Sequence, residues 1–202
     1  MALDRTWYNT LTDDSGSGTD GSVWGKADVD ALMDAIDVSV KPFLQWTMRQ
    51  GEAPGANAAA EGTRNNRKTY DFDGATDEEM VFPGVLPLQY GGSGVTVECY
   101  AITASATSGS FRWQAAIERF GTDAIDADSD AFEAFQSAGG TAPASSGLLT
   151  KVSIAFTNGA QMASVAAGEC FRLKIRRDAD GTSGTDDIAT DIQLLYLVLR
   201  ET

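Results

Sequence analysis

Val95-Thr-Val-Glu-Cys-Tyr-Ala-Ile-Thr103, then a run of small residues, then Phe111-Arg-Trp-Gln-Ala-Ala-Ile-Glu-Arg-Phe120: these two limbs decide the fold. In the first, Val95, Val97 and Cys99 alternate with Thr96, Glu98 and Tyr100. In the second, Phe111, Trp113, Ala115 and Ile117 alternate with Arg112, Gln114, Ala116 and Glu118. A period of two puts one face in a dry core and the other in water, the signature of a half-buried strand. The joining residues 104–110 are small and polar, which predicts a turn between antiparallel neighbours.

Working outward, further strands are expected at 41–48, 67–72 (as an edge), 150–156, 170–177 and 188–200. Pro83 and Pro87 keep 78–88 from being a regular central strand. Residues 49–66 and 137–147 have no periodicity and read as loop and linker, and 131–136 as a short strand or one helical turn. About eight strands with turn signals and no βα alternation predict an all-β fold, an antiparallel jelly-roll-like sandwich over 41–202.

Residues 1–40 differ. Val29, Leu32, Met33 and Ile36 fall at i, i+3, i+4 and i+7, which predicts a short helix with one apolar stripe. About three turns are marginal alone, so the stripe must dock, either on its own β-domain or on a neighbouring subunit or particle. Trp7, Tyr8, Trp24, Leu32, Met33 and Ile36 make this segment a candidate anchoring arm.

The last strand is apolar on both phases. Ile192, Leu194, Tyr196 and Val198 share one, and Leu195, Leu197 and Leu199 the other. A strand apolar on both faces is covered on both. The cover would be the N-terminal helix, a loop or, the reading favoured here, another copy of the chain.

The chain has 202 residues, 43% of them hydrophobic, a formal charge of −14 and no histidine. The charge argues against nucleic acid and anionic membrane as partners. Absent histidine removes Ser-His-Asp and Cys-His nucleophile systems and His-ligated metals. Cys99 and Cys170 fall on opposite phases, so two free thiols are expected. The start has no cationic segment followed by an apolar run, as a signal peptide would, and no run is long enough to span a membrane.

Asp126, Asp128 and Asp130 offer oxygens at alternate positions, which suits a hard cation such as calcium, but the EF-hand glycine and closing glutamate are missing. Asp178, Asp180, Asp186 and Asp187 form a second such set, and in a chain this acidic solvated turns are the simpler reading of both. Glu98 and Glu118, if cross-strand neighbours, would resemble a glycosidase carboxylate pair, although salt bridges are the simpler use. Arg172, Lys174, Arg176 and Arg177 form a basic stripe that pairs with the chain's own acidic loops or with an acidic face of an identical copy.

The opening Trp7-Tyr8-Asn-Thr-Leu-Thr-Asp-Asp-Ser-Gly-Ser-Gly-Thr-Asp-Gly-Ser-Val-Trp-Gly-Lys-Ala-Asp-Val-Asp-Ala-Leu-Met-Asp-Ala-Ile-Asp37 resembles leaders of tailed-phage virion proteins. Phe72-Asp-Gly-Ala-Thr-Asp-Glu-Glu79, Gln89-Tyr-Gly-Gly-Ser-Gly-Val-Thr-Val97 and Gly168-Glu-Cys-Phe-Arg-Leu-Lys-Ile-Arg-Arg-Asp-Ala-Asp180 are similar to segments of small jelly-roll proteins on such particles. The resemblance implies a non-enzymatic virion protein without cofactor, commonly a homotrimer. It would be a head decoration, head fibre or tail appendage held by a major capsid or tail protein. On that reading Leu195, Leu197, Leu199, Arg172, Lys174 and Arg176 would lie between subunits. The alternative is a carbohydrate- or receptor-binding sandwich using Tyr90, Tyr100 and the Asp loops with calcium.

Overall fold

The computed structural model describes residues 43–120 and 131–202. The predicted helix, the arm residues Trp7, Tyr8, Trp24, Leu32, Met33 and Ile36, and the candidate ligands Asp126, Asp128 and Asp130 lie outside the described residues.

Among the described residues, ten strands form two antiparallel sheets, a jelly-roll-like β-sandwich. They are β1 (Phe43–Thr47), β2 (Ala60–Arg64), β3 (Arg67–Phe72), β4 (Glu79–Val85), β5 (Val95–Thr103), β6 (Ser110–Phe120), β7 (Gln136–Thr141), β8 (Thr150–Phe156), β9 (Cys170–Arg177) and β10 (Ile192–Glu201). Six lie in the order β2-β3-β10-β5-β8, with β1 also on β10, and four in the order β4-β9-β6-β7. On the shared edge of β10, β3 pairs with Ile192–Leu194, and β1 takes over from Tyr196 to Arg200.

The two limbs that decide the fold are strands, but they are not a hairpin. β5 pairs with β10 and β8 in one sheet, and β6 with β9 and β7 in the other. Residues 104–109 therefore cross between sheets, tied where Ala104 N–H reaches the Asp191 carbonyl at 3.0 Å. Alternation says which side of a strand is dry, and two facing sheets present their dry sides to one core as readily as two neighbours in one sheet. Val95, Val97 and Cys99 meet Phe111, Trp113 and Ile117 there, all at most 1% exposed. Phe72 packs edge-on to Trp113 with centroids 4.8 Å apart, and Trp46 edge-on to Phe171 at 6.2 Å. Burying side chains of this size stabilises the fold by about 1.5–3 kcal/mol each.

β10 also departs from simple alternation. Its register with β5 slips between Leu194, opposite Ala101, and Tyr196, opposite Tyr100. Leu195 is the extra residue of a β-bulge, and one extra residue inverts the alternation of everything after it. Ile192, Leu194, Leu197 and Leu199 consequently all face the core, at 0–2% exposure. Tyr196, Val198 and Arg200 share the outer phase. The strand is not an apolar ribbon with two greasy faces, and Leu197 and Leu199 are sealed by their own chain. Leu195, at the bulge, is 8% exposed. These three leucines thus give no argument for a subunit contact.

β3 is interior, with β2 as the edge; β2 falls within the aperiodic 49–66, and β7 begins at Gln136 and runs into the expected linker 137–147. Pro83 sits in β4, an edge strand, where a missing N–H costs least. Its carbonyl accepts the Trp46 indole N–H at 2.8 Å.

Candidate binding face

The outer face of the six-stranded sheet brings polar and aromatic side chains together in rows set by register. One row runs Thr47, Tyr196, Tyr100, Lys151 across β1, β10, β5 and β8. The next runs Gln45, Val198, Glu98, Ser153. Tyr100 and Tyr196 are cross-strand neighbours, each half-buried, with Lys151 and Thr47 exposed on either side.

Glu98 ties this region together. Its Oε1 accepts from Lys151 Nζ at 2.9 Å, and its Oε2 from the Tyr100 hydroxyl at 2.9 Å and Arg200 Nε at 3.1 Å. Burial pushes the Glu98 carboxyl up, but hydrogen bonds from Lys151, Tyr100 and Arg200 outweigh it and hold the group below the usual glutamate range. The same contacts raise Lys151 and Arg200. Farther along the face, Arg64 Nη1 donates to the Thr103 carbonyl at 2.9 Å and to Gln193 Oε1 at 2.9 Å, and Gln193 donates to Asp71 at 3.0 Å. Half-buried aromatic surface among locked polar groups suits non-covalent recognition of a hydroxyl-rich ligand.

A smaller cleft of about 310 Å³ opens at one end of the sandwich, between residues 90–92 and the 158–167 loop. Tyr90 lines it, but its hydroxyl is engaged, accepting from Gly94 N–H at 3.0 Å and contacting Met162 Sδ at 3.5 Å.

The carboxylate pair expected from sequence does not form. Glu98 lies on β5 and Glu118 on β6, in different sheets. Glu118 is fully buried and takes two bonds of 2.7 Å from Arg172, and Arg119 instead meets Glu169 at 2.5 Å. The rest of the basic stripe also finds partners within the chain. Lys174 reaches Glu79 at 3.0 Å, and Arg176 reaches Gln114 at 2.6 Å and Asp77 at 3.5 Å. Phe132 lies over Lys174 and Phe135 over Arg176, at 4.4 and 4.2 Å.

Asp77, Asp178 and Asp180 converge, but Asp178 accepts from Thr182 Oγ1, Ser183 N–H and Ser183 Oγ at 2.5–2.9 Å, as a loop-closing residue does. Asp186 is committed to Arg177, and Asp187 caps the Ser110 N–H at 2.6 Å. Cys99 and Cys170 are free thiols, Cys99 buried and Cys170 exposed.

Tyr100 and Glu98 were visible in the sequence as one phase of β5. Tyr196 was not, because the bulge moves it to the phase opposite the one that alternation assigns. Lys151 and Arg200 carried no signal beyond being charged.

No family model and no curated protein matches the sequence. Among solved structures, the chain is similar to the CBM22-2 xylan-binding domain of Paenibacillus barcinonensis Xyn10C, at 11% identity and a TM-score of 0.47, covering 79% of this chain and 99% of that one. It is similar to the xylan-binding module CBM15 at 10% identity and a TM-score of 0.46, covering 81% and 98%. The C-terminal CBM6 of LamC from Zobellia galactanivorans gives 14% identity and a TM-score of 0.42, covering 79% and 99%. At likenesses of this size, the choice of face rests on this chain's own side chains.

Proposed function

We propose that this chain is a non-enzymatic virion protein whose β-sandwich contacts carbohydrate through the tyrosine-bearing face of its six-stranded sheet. The carbohydrate half is carried by one observation: Tyr100 and Tyr196 stand side by side on that face, in a setting of fixed hydrogen-bonding groups. A sugar ring offers a C–H face to an aromatic surface and hydroxyls to its rim, and this arrangement supplies both.

The particle half is supported by the resemblance of the leader 7–37 and three internal stretches to tailed-phage proteins. In this reading residues 1–40 anchor the chain, through Trp7, Tyr8, Trp24, Leu32, Met33 and Ile36, to a capsid or tail protein. A homotrimer rests on that resemblance alone. The contact asks for no metal.

The test has separate arms. The full chain is applied to a glycan array, with Tyr100→Ala and Tyr196→Ala alongside. Binding that both variants lose by roughly tenfold or more, with folding intact, supports the face. A blank array overturns the carbohydrate half, and absence of the protein from purified particles by mass spectrometry overturns the other. Light scattering that returns a monomer removes the trimer.

A further inference from the structure

Resting on the carbohydrate reading, we infer that the favoured ligand is an acidic glycan, one whose sugars carry carboxylates. Around the tyrosine pair, Lys151 and Arg200 are 48% and 52% exposed, and both lean on one carboxylate, that of Glu98, itself 10% exposed. Two cations share one anion, a positive surplus around Glu98 among the described residues of a chain of charge −14, while the Glu201 carboxylate that follows Arg200 turns to the Gly91 and Ser93 N–H groups. Acidic groups gather at the other end of β10, where Asp71 and Asp73 lie close enough to Asp191 to raise its carboxyl, after burial has done so.

The geometry of the surplus matters as much as its sign. Arg200 gives its Nε to Glu98 at 3.1 Å, lies against the Tyr100 hydroxyl, and keeps half of its side chain exposed. Lys151 spends one donor on Glu98 Oε1. A guanidinium edge held by its Nε is pre-oriented for a second carboxylate, and a nearby ammonium adds a point charge. The remaining negative charge of the chain opposes such a ligand only weakly. At physiological ionic strength charges are screened beyond about 8 Å, so contacts at the face outweigh remote repulsion.

The experiment compares polygalacturonate with its fully methyl-esterified form, which keeps the backbone and removes the charge. Affinity electrophoresis of the full chain should show the acid form binding roughly tenfold tighter. Lys151→Met and Arg200→Met, which keep much of the apolar stem, should erase the preference, bringing the acid form down to the affinity that the same variant shows for the ester. Raising the salt should shrink the preference. Equal binding of both polymers overturns the inference and leaves the carbohydrate reading standing. Binding of neither overturns it too, and the glycan array then decides the wider reading alone. Equal retention by single-stranded DNA would show a general polyanion surface and also overturn it.

Discussion

Arg177 and Asp186 form a two-point ion pair sealed inside the sandwich, with Nε to Oδ2 at 3.0 Å, Nη2 to Oδ1 at 2.7 Å, and side chains 0% and 1% exposed. The other donors of Arg177 go to main-chain carbonyls: Nη1 to Phe72 and Thr190, and Nη2 to Ile188. All five guanidinium N–H groups are thereby used, binding the end of β9 to the end of β3 and to the loop before β10. Removing one partner of such a pair strands a buried charge, which costs about 3–5 kcal/mol. Arg177→Met should lose that much in urea denaturation. Arg177→Lys should recover little of it, because an ammonium has three donors and no fork. A loss below roughly 1 kcal/mol for the Met variant would show that the pair is not structural.

Glu98 makes folding sensitive to acid. Its folded carboxyl titrates below the ordinary glutamate value of 4.5, so the folded state binds the proton more weakly than the unfolded one. The stabilisation from its three bonds is therefore complete above the unfolded value and is lost as pH falls through the folded one. Glu98→Gln should cost about 1–3 kcal/mol near neutrality, and the gap from the parent should close below pH about 4. A gap that stays constant down to pH about 2 would mean that the carboxylate charge contributes nothing.

Leu197 and Leu199 should behave as core residues. Leu197→Ala and Leu199→Ala are each expected to cost about 2–5 kcal/mol, with no change in oligomeric state. Mass determination in solution alongside denaturation checks this. A variant that altered assembly while keeping its stability would restore the subunit contact that alternation alone predicts.

Strands β8 and β9 were legible, although β8 is an edge, because large apolar residues mark their inward phase: Val152, Ile154 and Phe156 in β8, and Phe171, Leu173 and Ile175 in β9, are at most 3% exposed. β2 and β7 were not, because Ala60-Glu-Gly-Thr-Arg64 and Gln136-Ser-Ala-Gly-Gly-Thr141 are edge strands of small and polar residues. Backbone pairing to one neighbour holds them, and that leaves no hydropathy pattern. Which sheet β5 and β6 join was hidden for another reason: partner choice depends on β8, β9 and β10, which follow later in the chain. Of the binding face, Glu98 and Tyr100 could be read locally. Tyr196 could not, since a bulge is a tertiary accommodation to β5 with no residue type that announces it.

The single supernumerary leucine of β10 also explains how one ribbon serves two masters. Ahead of Leu195 the odd and even positions obey one rule, and after it the opposite one, so a strand that ran on through that residue without the bulge would have its carboxy-terminal half rolled over by half a turn. Tyr196 and Arg200 would be driven indoors, Leu197 and Leu199 out to solvent, and the aromatic platform and the hydrophobic interior would be forfeited together.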